Sequence, residues 1–188
     1  MDNIRRFLLR RGQICTIQRN PPINSRVSMK LTTKAMRDES ARESYWEGIV
    51  LADSNLTSGE IITINGLNFL TQTVLPNPQG ELLWYGVKTN SQLELIQEQE
   101  TVDDNGYIIK TPIVVATIPA YGTIITATLR QQQPGLLPNS IWLFQIPSSY
   151  GVKTGDKLRF SGRNIRVEAA NILFLGGVTE LQCSEVVA

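Results

Sequence analysis

Two carboxylates occupy the same local setting at two places in the chain. Glu60 follows Gly59 and Asp156 follows Gly155, and each opens a run in which apolar and polar residues alternate. A carboxylate so placed has two chemistries open to it. It can transfer protons as a general base, or it can accept backbone N–H bonds and hold a tight turn. Equivalent placement in two copies favours the turn. Asn68 and Asn164, two residues after Gly66 and Gly162, read the same way. Trp46 and Trp142 have the flat faces a ligand could stack on, but repeated aromatics at strand starts more often fill a core.

The chain contains no histidine, which excludes imidazole-ligated zinc and histidine acid–base catalysis. Cys15 and Cys183 stand far apart in sequence and make neither a disulfide framework nor a metal-ligand cluster. A nucleophilic Cys15 would need an activating base that histidine cannot supply here, so both cysteines read as small packing residues. The glycines form no dinucleotide or P-loop pattern. Asp103-Asp104-Asn105 lacks the alternation and closing glutamate of a calcium loop. The expectation is a protein without catalytic residues, cofactor or metal.

The elements that position these residues are repeated. Tyr45–Phe69 matches Ile141–Ile165 at a constant offset of 96 residues, pairing Trp46 with Trp142, Gly59 with Gly155, Glu60 with Asp156, Gly66 with Gly162 and Asn68 with Asn164. Gly80 falls on Gly176 as well. Solenoid repeats run roughly 20–50 residues, so this period describes two copies of one small domain. Each copy shows five or six short strands with frequent turns, which predicts two small barrels or sandwiches. Asn65-Gly66 is a hairpin signal of type I′.

In chain order, residues 1–11 read as a short amphipathic helix or arm, with Ile4, Phe7 and Leu8 at helical spacing, and Gln13–Gln18 as a strand ended by Pro21-Pro22. Residues 23–44 are the least strand-like part of the first copy and read as a long loop or short charged helix. Ser91–Glu100 fits either strand or helix. Polar Thr101–Gly106 is taken as the boundary, giving domains 1–105 and 106–188, although it also fits the tip of a long hairpin. Gly122–Thr126 weakly matches Gly12–Thr16, which sets Arg130 against Arg19.

Charge is segregated along the chain. Residues 1–42 carry a net +7, residues 43–106 a net −9 and residues 107–188 a net +3. The basic residues Arg5, Arg6, Arg10, Arg11, Lys30, Lys34, Arg37 and Arg42 are candidates for partner docking. One subunit's basic surface would meet the next subunit's acidic one, closing a ring. The same cations fit phosphate contacts with nucleic acid. The apolar run Pro112–Tyr121 is shorter than the roughly 20 residues of a spanning helix, and the N-terminal arginines interrupt any secretory apolar segment. No membrane association is expected.

Two motifs carry a family resemblance. Gly12-Gln13-Ile14-Cys15-Thr16-Ile17-Gln18-Arg19 precedes Gly59-Glu60-Ile61-Ile62-Thr63-Ile64-Asn65-Gly66. Together they resemble the head–tail joining proteins of tailed bacteriophages, the stopper or head-closure proteins of the neck. The resemblance covers mainly residues 1–90. It implies an all-β fold of small SH3-like or OB-like barrels, two in tandem here. It also implies a homo-oligomeric ring below the portal and adaptor that connects to the tail, assembled in the host cytoplasm and carried in the virion. DNA would pass nearby without sequence-specific binding, and residues 23–44 would dock or gate the channel. The duplication departs from a simple stopper and fits tail-terminator, tail-tip and baseplate proteins too.

Overall fold

Leu8 and Ile4, four residues apart, share one face of a helix, and that face is what ties the N-terminus down. The computed structural model describes residues 2–32, 43–78, 80–173 and 176–186. Helix α1 (Asp2–Arg11) buries Leu8 completely and leaves Phe7 50% exposed, so the buried stripe is narrower than the spacing predicts. It ends at Gly12, whose N–H donates to the Leu8 carbonyl.

Six antiparallel strands follow: β1 (Gln13–Ile17), β2 (Ile23–Leu31), β3 (Tyr45–Val50), β4 (Ile61–Ile64), β5 (Leu67–Pro76) and β6 (Leu82–Lys88). They run side by side in the order β1-β2-β3-β6-β5-β4, and β4 returns to β1 to close a barrel. Alternate residues point inward, where Cys15, Ile17, Val27, Val50, Ile62, Ile64, Phe69 and Trp84 form the core. Each large apolar side chain removed from water contributes about 1.5–3 kcal/mol. Closure also leaves no open sheet edge in the barrel wall.

A second set repeats the pattern: β7 (Ser91–Val102), β8 (Ile108–Ile124), β9 (Trp142–Pro147), β10 (Lys157–Phe160), β11 (Arg163–Leu173) and β12 (Val178–Glu185). The closed order is β7-β8-β9-β12-β11-β10, strand for strand that of the first barrel. Leu93, Ile118, Phe144, Ile146, Leu158, Ile165 and Leu181 lie in its core. Short helix α2 (Ala127–Gln132), capped by the Thr126 hydroxyl, lies between β8 and β9. The protein is all-β, with two closed six-stranded antiparallel barrels in tandem.

The offset of 96 persists in three dimensions. Single 3-10 turns sit at Ala52–Ser54 and Ser148–Tyr150. Left-handed backbones pair at Asn55 and Gly151, Gly59 and Gly155, Asn65 and Ser161, Gly66 and Gly162, and Gly80 and Gly176. The hairpin residues Asn65 and Gly66 have φ of 51° and 77°, and Ser161 and Gly162 have 49° and 79°. Both pairs close a type I′ turn, whose central residues each need positive φ.

Three expectations from the sequence differ from the structure. Residues 23–31 form β2, a barrel strand, so the excursion is shorter than 23–44; its centre, residues 33–42 with Lys34, Arg37 and Arg42, lies outside the described residues. Thr101–Gly106 is not a domain boundary at 105. It is the tip of the β7–β8 hairpin, held by Asp103 Oδ1, which accepts from the N–H groups of Asn105 and Tyr107 at 2.9 and 2.7 Å. The first barrel's strands end at Lys88 and the second's begin at Ser91. By topology the counterpart of β1 is β7, so Gly122–Thr126 and Arg130 do not correspond to Gly12–Thr16 and Arg19. Arg130 instead donates to the carbonyls of Leu137 and Ser140 and ties down the loop after α2.

The chain divides into two compact units: Met1–Asn90 with Pro147–Ser149 and Ile172–Val178, and Ser91–Ile146 with Tyr150–Asn171 and Thr179–Ala188.

Candidate docking surfaces

Glu60 lies where β4 begins, and the two motif segments of the first barrel meet there. The Arg19 guanidinium forks onto both Glu60 oxygens, its Nη2 reaching Oε2 at 2.6 Å, and also donates to the carbonyls of Ser54 and Asn55. The Thr57 N–H donates to Glu60 at 2.7 Å. Burial pushes the Glu60 carboxyl up; the bonds from Arg19 and Thr57 outweigh it and hold the group below the usual carboxylate range. A carboxylate held ionised by a bidentate guanidinium is a weaker base than a free one and is poorly matched to taking a proton near neutral pH. Asp156 makes the same local bond, from the Lys153 N–H at 2.8 Å. Gly59 and Gly155 each donate across to the next strand, to the Thr71 and Val167 carbonyls at 2.7 and 2.8 Å. Asn68 accepts from Thr63 Oγ1 at 2.8 Å and from Gln18 at 3.3 Å, a polar cluster outside the barrel wall. Trp46 packs edge-on against Phe69 and Trp142 against Phe160.

The candidate basic residues separate into different environments. Arg5 pairs with Asp53 at 2.6 Å and with buried Glu81 at 3.8 Å, fastening α1 to the barrel. Lys30 pairs with Glu47 at 3.4 Å beside a surface groove of about 320 Å³ between Ser28, Ile49, Leu83 and Tyr85. Arg6, Arg10 and Arg11 are exposed on the helix with Phe7 and Leu9. The charge segregation of the sequence is largely undone by folding. The acidic middle pairs through Glu47, Asp53, Glu60 and Glu81 with basic residues of the first segment. Glu94, Glu98 and Glu100 pair with Arg159, Lys157 and Lys110 of the last.

An exposed apolar feature escapes sequence reasoning. Only residues 94–96 of β7 pair with β10, and only residues 121–124 of β8 pair with β9. Beyond the wall, β7 and β8 continue as a two-stranded arm to the pair Val102 and Ile108. Val102, Tyr107 and Ile108 are 70%, 70% and 65% exposed, and Ile109, Ile113, Val114 and Val115 are exposed too. Residues 107–118 are rich in β-branched side chains, which reports a strand but not that most of the run faces solvent.

Cys15 and Cys183 are fully buried, one in each core, and burial pushes their thiols up to about 11 and about 12. Among the described residues no group of acidic and cysteine side chains could hold a metal ion. No helix among them is long and apolar enough to cross a membrane. The chain matches no family model and no curated protein.

Proposed function

We propose that this protein is a non-enzymatic structural subunit of a tailed-phage virion, assembling as a ring in the neck between portal, adaptor and tail. The observation that carries the assembly reading is the arm, on which Val102, Tyr107, Ile108, Ile109, Ile113, Val114 and Val115 all stand exposed, because clustered exposed apolar side chains mark interaction surfaces. The neck position rests on the two sequence motifs of the first barrel, and Arg19 and Glu60, which belong to the two separate motifs, are bonded to each other. The engagement of Glu60 is in keeping with a non-catalytic role.

Mass photometry and negative-stain microscopy of the purified chain, alone and with its portal–adaptor complex, test the reading. Rings that add to the portal–adaptor complex are expected. A strict monomer that binds neither component would refute it. Assembly without portal binding would instead favour a tail-tip or baseplate position, which the duplicated barrel fits equally well.

A further inference from the structure

The arm and helix α1 have matching chemistry. The arm, residues 97–115, carries four acidic residues and one lysine, whereas α1 carries four arginines and one aspartate. Glu98 and Glu100 are already paired with Lys157 and Lys110, so the negative charge without a basic partner among the described residues sits at the tip, on Asp103 and Asp104. Around that tip stand exposed Val102, Tyr107 and Ile108. One face of α1 carries exposed Phe7 with Arg10 and Arg11, three and four residues further on, while exposed Leu9 flanks it from the other side of the helix. The sizes also agree. Six residues of ribbon span about 20 Å, at about 3.3 Å each, and ten residues of helix span about 15 Å.

We propose that the arm tip of one copy docks on the Phe7 face of helix α1 of a second copy, its apolar side chains on Phe7 and Asp103-Asp104 against Arg10-Arg11. A two-stranded ribbon is marginally stable alone in water, so such a cover contributes to the arm's order. Tip-to-tip pairing of two arms is disfavoured, since it brings two acidic tips together. The contact joins different surfaces of the two copies, so it repeats from copy to copy and yields a ring or an open chain. This inference deepens the assembly reading above and rests on it for ring closure alone.

Cross-linking tests it, because native Cys15 and Cys183 are buried and stay silent to a maleimide. One preparation carries Leu9→Cys, the other Tyr107→Cys. A bismaleimide is expected to give covalent dimers in the mixture and none in either preparation alone. Arg10→Glu with Arg11→Glu on the Leu9→Cys chain is expected to cut the dimer yield about tenfold, and Asp104→Lys on the other chain to recover part of it. No dimer in the mixture overturns the contact, and so does an equal yield from Tyr107→Cys alone, which would mean arms pair with arms. An unchanged yield after the charge reversal overturns the electrostatic half of the docking. Dimers without portal–adaptor binding remove the neck position and keep this contact. Portal–adaptor binding without dimers does the reverse.

Discussion

The two barrels share a strand order and five left-handed backbone positions, yet they treat equivalent residues differently. In the first, Glu60 is gripped by Arg19; in the second, Asp156 holds its own turn and, among the described residues, has no arginine on it. In the first, the opening hairpin is short, with strands of 5 and 9 residues; in the second it is long, with 12 and 17. Gly59 is pressed against backbone, while Gly155 faces open space. What stays constant is the set of turns and inward residues that close a barrel. What varies lies at the first hairpin and around the 59/155 turn, where change leaves the closure intact.

The sharpest test of that contrast is alanine at the paired glycines. Gly59 has φ +86°, and a Cβ there would stand 1.9 Å from the Gly177 carbonyl oxygen, both residues belonging to the first unit. Gly155 has φ +93° with nothing within 4 Å. Gly59→Ala is expected to cost about 3–4 kcal/mol and Gly155→Ala about 1 kcal/mol, read as shifts in urea unfolding midpoints. Equal losses would remove the claimed asymmetry.

Next comes the carboxylate pair. Arg19→Met leaves a largely buried carboxylate without its cation and should cost about 2–3 kcal/mol. Asp156→Asn, at a turn with no arginine, should cost less than about 1 kcal/mol by the same measurement. Acid sharpens the difference. The Glu60 carboxyl is held below its ordinary value of 4.5, so its contribution is complete above that value and is lost as pH falls through the lower, folded-state value. The stability gap between the native chain and Glu60→Gln is therefore expected to narrow as the pH falls below 4.5. A gap that widens on acidification would contradict the assignment.

The smallest effect belongs to the arm's surface pair. Lys110 and Glu100 are 56% and 58% exposed, so Lys110→Ala should change stability by no more than about 0.5 kcal/mol in thermal unfolding. A larger loss would mean that the arm is packed more firmly than its exposure indicates.

The shared part of the fold was legible because it is written in residues with narrow meanings. Asn65-Gly66 announces positive φ, and Gly59-Glu60 with Gly155-Asp156 announces a turn entering a strand. The variable part was not legible. Strand β2 reads Ile-Asn-Ser-Arg-Val-Ser-Met-Lys-Leu, with Ile23, Ser25, Val27 and Met29 turned toward the core, a stripe interrupted by a serine and too weak to announce itself. The junction at Thr89-Asn90 has neither glycine nor proline, while the Asp-Asp-Asn-Gly hairpin tip has the composition of a linker. In the arm, Ile108, Ile109 and Ile113 look like core residues because β-branched patterning reports a strand but not whether anything lies across it. Charge misled in a similar way, since pairing across strands cancels what sequence segments separate.

The two buried thiols have a use beyond packing. Each barrel hides one cysteine at zero exposure, and neither thiol can react until the wall around it opens. Labelling rates at Cys15 and Cys183 followed side by side therefore time the opening of each barrel separately. A single unmodified molecule then reveals whether duplication produced two independent folding units or one cooperative pair.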